Sequence, residues 1–542
     1  MAHRLIPSSK QLGYSDLYLD VLAEKPSAGA FFHAKDPAAV ARAIDHATYP
    51  RRELVDILTR QNRQFHGDDS VFRSLTSLAV PGSMCVFSGQ QAGLFTGPML
   101  VVVKALALVK LARAYSLKLN RSVVPIFWIA GDDHDFDEIA NTWVLNQQSE
   151  LVEIKYGARP EQELPVGDIV LSNHAELDRV KDLYTGQFGR TDFTEQLRKL
   201  VDRSYTPEDT FVSSFGKMLA GLTAGTGLVL FNPCDAEVKS LAVPFFEQVI
   251  DRQDELHKTL ASSNKAIEEA GYHLQVTAKD HSAHLFRNIN GRKPVQFEAG
   301  SFSFDGVAIP LPALKSAVRS HPERFSPDVM TRPLMQSYLF PVLCQLGGPA
   351  EIAYLAQGNA LFDLFGIPAP IQRPRPSLTL IEKRIDQLMT EHGVTFNDLT
   401  GDIEQAVNRV LAGSFPKELE QRYADLTAEV KATWDRFAGE SLQFDPSLGE
   451  FAKQTYGKVD FALKGFEGKL FSAHKKKSKD VRDRIYRVHR NLYPNRTLQE
   501  RTLNIGCFVA RHGFGVVSFM LEQMDVDQTA HQLIDLAEMT SE

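Results

Sequence analysis

MCVFSGQQAGLFTGPMLVVVKALALVKLARAYSLKLN, residues 84–120, followed by VVPIFWIAG, residues 123–131, decides the fold. MCVFSG (84–89) reads as a short buried strand. QQAGLFTGP (90–98) is a polar, glycine-containing turn. From Pro98 the chain is apolar on most faces and predicts a helix, with Pro98 in the first turn, Thr96 able to cap it, and Asn120-Arg121 ending it. VVPIFWIAG is a second apolar strand. Strand, loop, helix, strand is a βαβ unit of a parallel sheet, whose crossover is right-handed by rule.

Ligands of such sheets bind beyond the carboxyl ends of the strands. Two polar loops fall at that edge, Ser88–Gly97 and Gly131–Glu138. In the first, glycines admit close backbone approach, the following helix start favours anions, and Gln90 and Gln91 donate and accept hydrogen bonds. It is neither GxGxxG nor GxxxxGK[ST], so no standard dinucleotide or P-loop assignment follows. The plain alternative is a tight strand-to-helix turn. The second loop packs five carboxylates and His134 into residues 132–138. Their repulsion raises some pKa values unless a metal, basic groups or a substrate ammonium answers it. His134 with Asp133 or Asp135 is the candidate acid–base pair.

Further along, GLVLFNPCDAEVKSL (227–241) repeats the strand-then-helix pattern, and 245–270 reads as helical. Residues 271–312 alternate short strands and turns, an antiparallel insertion whose His273, His281 and His284 are read as surface or core residues rather than ligands. LFPVLCQL followed by Gly347-Gly348-Pro349 and a helix from Ala350 completes the sheet late in the chain. Glu351, in that helix's first turn, suits the dipole and can bind an amine. Arg332, Arg373 and Arg375 can grip carboxylates bidentately. From Ser377 the chain becomes long helices. Leu419, Tyr423, Leu426, Val430, Thr433 and Phe437 step 4-3-4-3-4, and Leu448 to Phe466 repeats the pattern beyond Asp445-Pro446, predicting a coiled coil that dimerises. An ordinary helical hairpin is the alternative.

Composition bounds the rest. The 542 residues are 43% hydrophobic and 23% charged, which excludes disordered, collagen-like and disulfide-stapled classes. A net charge of −7 disfavours general nucleic-acid binding. Residues 475–501 carry a local +7, either a solvated helix or an anion site; KKSKD (476–480) follows no sheet strand and is given no tRNA-synthetase-like role. Cys85, Cys234, Cys344 and Cys507 are scattered, with no CxxC pair. No apolar leader and no long apolar run is seen. A cytoplasmic protein with no membrane or nucleic-acid partner is expected.

Five ordered segments, SGQQAGLFTGP (88–98), PIFWIAGDDHDFDEI (125–139), RPLMQSYLFP (332–341), GGPAEIAYLAQ (347–357) and LQER (498–501), resemble the bacillithiol synthase family, the cysteine-adding enzymes of bacillithiol biosynthesis. Where that pattern often has Asn-His, this chain has Ala140-Asn141. The resemblance implies an α/β fold: a Rossmann-like parallel sheet core with inserted connecting segments and a C-terminal α-helical coiled-coil domain that forms a homodimer. The expected division is 1–150 and 151–330 for the core and its insertions, 331–376 for the late strand-turn-helix, and 377–542 for the helical domain. The implied activity is addition of L-cysteine to glucosaminyl-malate, an amide-forming last step. Making an amide in water needs an activated carboxyl, so ATP is expected, split to AMP or ADP. In the family, nucleotide can sit near the coiled-coil junction; no nucleotide-binding residue and no metal is assigned. The expected catalytic residues are His134, Asp133 and Asp135. Substrate binding is assigned to Gln90, Gln91, Thr96, Glu351, Tyr354, Arg332 and Arg375. The rival readings are a non-catalytic metabolite-binding dimer and a metal-dependent hydrolase built on the DDHD loop.

Overall fold

The apolar runs of the βαβ segment do form strands and a helix in the computed structural model, which describes residues 4–33, 36–161, 164–277, 281–289 and 291–539. Five parallel strands, β1 (Met84–Gln91), β2 (Val123–Ala130), β3 (Val229–Phe231), β4 (Val342–Gly347) and β5 (Ile371–Pro374), lie in the order β5-β4-β1-β2-β3. Strands buried on both sides explain the continuous hydrophobic reading. Met84, Val86, Phe127 and Ile129 enter one core; Cys85, Phe87, Ile126 and Trp128 enter the other, on the opposite face. Helix α1 (Leu100–Leu119) is buried almost all round from Val101 to Ala112, its last turns reach the surface, and Asn120 ends it in the left-handed conformation. Each apolar side chain so buried contributes about 1.5–3 kcal/mol.

The order of addition reverses between β1 and β4. The chain builds outward through β2 and β3, then returns to the other side of β1. Carboxyl ends diverge at such a switch and leave a crevice.

Two local expectations change. β1 runs to Gln91, because Gln90 and Gln91 stay in register with Ile129 and Ala130; both glutamines therefore sit on a strand end rather than in a loop. Thr96 does not cap α1, which starts after Met99 with no side-chain cap. Thr96 instead has positive φ, is fully buried, and its hydroxyl has no hydrogen-bond partner among the described residues.

The 271–312 insertion is antiparallel. Strands Ser282–Asn288, Arg292–Glu298, Ser301–Phe304 and Val307–Ile309 are joined by Phe325–Pro327 in one sheet. The helical stretch expected from Ser377 begins at Lys383. Leu378–Ile381 is a strand, parallel to His531–Asp535, which also pairs antiparallel with Arg4–Ile6.

The chain forms two compact units, 1–381 with 494–542, and 382–493. In the second, α2 (Lys417–Phe444) and α3 (Gly449–Lys477) form an antiparallel hairpin: Tyr423 donates its hydroxyl hydrogen to the Leu463 carbonyl, and Trp434 packs near Tyr456. The break falls at Asp445-Pro446, as the heptad interruption indicates. Neither helix buries a residue within the chain, and Phe437, Phe461 and Phe466 are exposed. No described helix is long and apolar enough to cross a membrane.

Candidate active site

Gln91, the last residue of β1, and Asp133, just past β2, meet at the switch point: Gln91 Nε2 donates to Asp133 Oδ2 at 2.7 Å. The two loops thus share a rim. They open on a cavity of about 730 Å³ walled by Gln90, Gln91, Asp132, Asp133, Glu138, Glu351 and, from the antiparallel sheet and its sequel, His284, Arg292, Asp328 and Arg332. That is an ordinary size for a small-molecule site.

Four of the five loop carboxylates find separate partners. Asp132 accepts from Lys239 Nζ at 2.6 Å, a lysine with 1% of its side chain exposed. Asp133 also accepts the His134 backbone N–H. Burial alone would raise the Asp133 carboxyl, but the His134 N–H, the Gln91 amide and the Arg292 guanidinium hold it below its usual range. Asp135 caps the turn Phe136–Ile139 by accepting from Glu138 N, and Asp137 pairs with Arg159. Burial raises the Glu138 carboxyl, and the charges of Asp133 and Asp135 add to it. Among the described residues no group of three or more His, Cys, Asp or Glu side chains is arranged to hold a metal ion. His134 and Asp135 are outside the cavity wall; His134 Nδ1 lies 3.5 Å from Asp133 Oδ1.

Across the crevice, Gly348 caps the helix Pro349–Gly358, and Glu351 accepts the Gly348 N–H at 2.7 Å. The same oxygen accepts from Lys104 Nζ at 2.6 Å; Lys104 also donates to the Gly89 carbonyl and to Gln90 Oε1. Burial would raise the Glu351 carboxyl, but Lys104 and Gly348 lower it on balance. Burial lowers the Lys104 ammonium, against the pull of Glu351. Arg332 donates to the Tyr354 hydroxyl at 3.3 Å, and among the described residues no carboxylate pairs with it. Arg292 bonds Ser326 Oγ and the Pro327 carbonyl.

Arg375 is placed differently from the expectation. Its Nη1 donates to Glu500 Oε1 at 2.7 Å and to the Pro376 carbonyl, in a buried cluster with Ser377 and His531. Its Nε is buried without a hydrogen-bond partner among the described residues. Arg373 pairs with Asp527. Thr96 does not line the cavity, whereas Gln90, Gln91, Asp133, Glu351, Tyr354, Arg332 and Arg375 do.

Lys104, Lys239, Arg292, His284 with Asp328, and Glu500 escape the sequence reading. Two leave a trace: Lys104 is a cation in the apolar first half of its helix, and Glu500 lies in the LQER segment. The others meet only through folding across wide separations.

Residues 1–376 match the family model described as bacillithiol biosynthesis BshC, N-terminal Rossmann-like domain, and residues 378–536 match the BshC C-terminal coiled-coil domain. Similar proteins come from Salinibacter ruber (29% identity, 98% of both chains), Koribacter versatilis (29%, 95% of this chain and 97% of the relative) and Bacillus cereus strain B4264 (29%, 90% and 91%). Each bears the name "Putative cysteine ligase BshC".

Proposed function

The chain belongs to the BshC family of bacillithiol biosynthesis, and from that premise we propose that it is the ligase joining the carboxyl of L-cysteine to the amine of glucosaminyl-malate. The observation that carries this reading is the Gln91–Asp133 bond, which brings both signature loops to one cavity lined by guanidinium and carboxylate groups. The substrates present the matching chemistry, carboxylates on malate and ammonium groups on both partners.

Arg332 and Arg292, which have no carboxylate within ion-pair distance among the described residues, are suited to the malate carboxylates. Asp133 and Glu351 face an ammonium, with Gln90, Gln91 and Tyr354 contributing hydrogen bonds. Arg375, tied to Glu500, offers Nε at most. His134 and Asp135, outside the wall, are assigned to holding the loop that presents Asp133. Thr96 supports the turn. ATP activates the cysteine carboxyl as an acyl phosphate or acyl adenylate, because amide formation from a free carboxylate is uphill in water. We assign the active form as a homodimer through the coiled coil, since its exposed phenylalanines need a cover, and the reaction to the cytoplasm, where ATP and cysteine are available.

The test is direct. The purified full chain, given cysteine, glucosaminyl-malate and ATP, forms bacillithiol detectable by mass, and Asp133→Ala lowers kcat/KM at least about 100-fold. Absence of product leaves a binding protein. Near-wild-type turnover of Asp133→Ala removes the site.

A further inference from the structure

His284 stands in the cavity wall with positive φ, a conformation rare outside glycine, where the pairing of Ser282–Asn288 with Arg292–Glu298 shifts register. Bulges re-aim side chains, and strained non-glycine residues gather at functional sites. Here the strained backbone sets the imidazole against Asp328: Nδ1 lies 2.7 Å from Oδ2. Asp328 is itself fixed, because its Oδ1 accepts from Met330 N, Thr331 N and Thr331 Oγ1. The single Thr331 hydroxyl hydrogen is shared between Asp328 Oδ1 at 3.1 Å and the His284 carbonyl at 2.8 Å, which closes the loop between the two residues.

This network settles the tautomer. An ionised carboxylate only accepts, so the His284 nitrogen facing Asp328 must donate. Burial alone would raise the Asp328 carboxyl, but His284 and the Thr331 donors keep it below its usual range and hence charged. The neutral ring therefore carries its lone pair on Nε2; among the described residues the one side-chain hydrogen bond of His284 is the Nδ1 bond to Asp328.

We propose that His284, oriented by Asp328, is the general base of the ligation. The inference rests on the ligase reading and deepens it. The neutral sugar amine attacks the acyl carbon of cysteine activated as an acyl phosphate or adenylate. The nitrogen lone pair forms the C–N bond, the acyl C–O bond breaks with its electron pair leaving on the phosphate, and the N–H proton passes to Nε2. Asp328 stabilises the imidazolium so formed and is a positioning residue. The other titratable or charged groups near the ring are His257, whose ring centroid is 5.5 Å away, and Arg292 and Arg332, which share the cavity wall.

The experiment follows bacillithiol formation by the purified full chain as a function of pH. His284→Gln keeps a donor for Asp328 and loses the base. It is expected to lower kcat at least about 100-fold with KM within about threefold, to leave thermal melting unchanged, and to abolish the acid limb of the profile. His284→Ala is expected to regain activity with added imidazole, and Asp328→Asn to lower kcat about tenfold or more while shifting that limb. Wild-type product with His284→Gln within threefold of wild type overturns the inference alone. So does loss of activity that imidazole does not restore and that tracks a lowered melting temperature, which marks a merely structural histidine. No product from the wild-type chain overturns the ligase reading, and the inference with it.

Discussion

Lys104 has 2% of its side chain exposed, and its ammonium meets three acceptors: Glu351 Oε2 at 2.6 Å, the Gly89 carbonyl at 2.8 Å and Gln90 Oε1 at 2.9 Å. Lys104→Met keeps the stem and removes the charge. The Glu351 carboxylate then loses its main counter-charge and keeps the Gly348 N–H as its hydrogen bond, with 26% of its side chain open toward the cavity. Removing one partner of a buried pair costs about 3–5 kcal/mol. In Lys104→Met with Glu351→Gln the stranded charge is gone. The double variant should recover about 1–3 kcal/mol relative to the sum of the singles, as contacting residues do. The assay is urea unfolding followed by tryptophan fluorescence in a Trp434→Phe background, where Trp128 and Trp143 report only on the sheet-bearing unit. A Lys104→Met cost below about 1 kcal/mol, or strict additivity, refutes the view that this lysine organises both sides of the crevice.

Gly89→Ala places a Cβ 2.5 Å from the Trp128 carbonyl oxygen, backbone that cannot yield, and should cost about 1–3 kcal/mol by the same assay together with most of the ligase activity. His531, buried between Ser377 and Thr379, has its pKa pushed down to about 4 by burial. The unfolded chain takes up that proton near pH 6.5 and the folded chain does not. The contribution is therefore full above 6.5 and lost as pH falls toward 4, about 3 kcal/mol in all; urea midpoints at pH 7 and pH 4 should fall less in His531→Gln than in wild type. Arg332→Gln should raise KM for glucosaminyl-malate about 10- to 100-fold while leaving KM for cysteine within about threefold, read by initial rates. Sedimentation should show a dimer that Phe437→Glu with Phe461→Glu converts to monomer.

The sheet was legible because its strands are buried on both faces and read as unbroken apolar runs, with α1 equally apolar between them. The meeting of the loops was legible too, since strand ends of a parallel sheet share an edge. The limits lie where period and propensity are silent. Strand β1 outlasts its apolar run because backbone pairing with β2 carries Gln90 and Gln91 along. Leu378–Ile381 becomes a strand through a partner far off in sequence, His531–Asp535. Arg375 looked free for a carboxylate because Glu500, its partner, is equally remote. Lys239, which holds Asp132 behind the cavity wall, and the His284–Asp328 pair within it come from segments whose pattern shows strands and helices but not where their side chains meet.

The most direct measurement is a crystal structure of the full chain with cysteine, glucosaminyl-malate and a non-hydrolysable ATP analogue. The sugar amine and the cysteine carboxyl carbon are expected within about 3.5 Å of each other in the crevice between β1 and β4, with malate on Arg332 and the amine between Asp133 and His284. Substrates bound elsewhere, with this crevice empty, would contradict it.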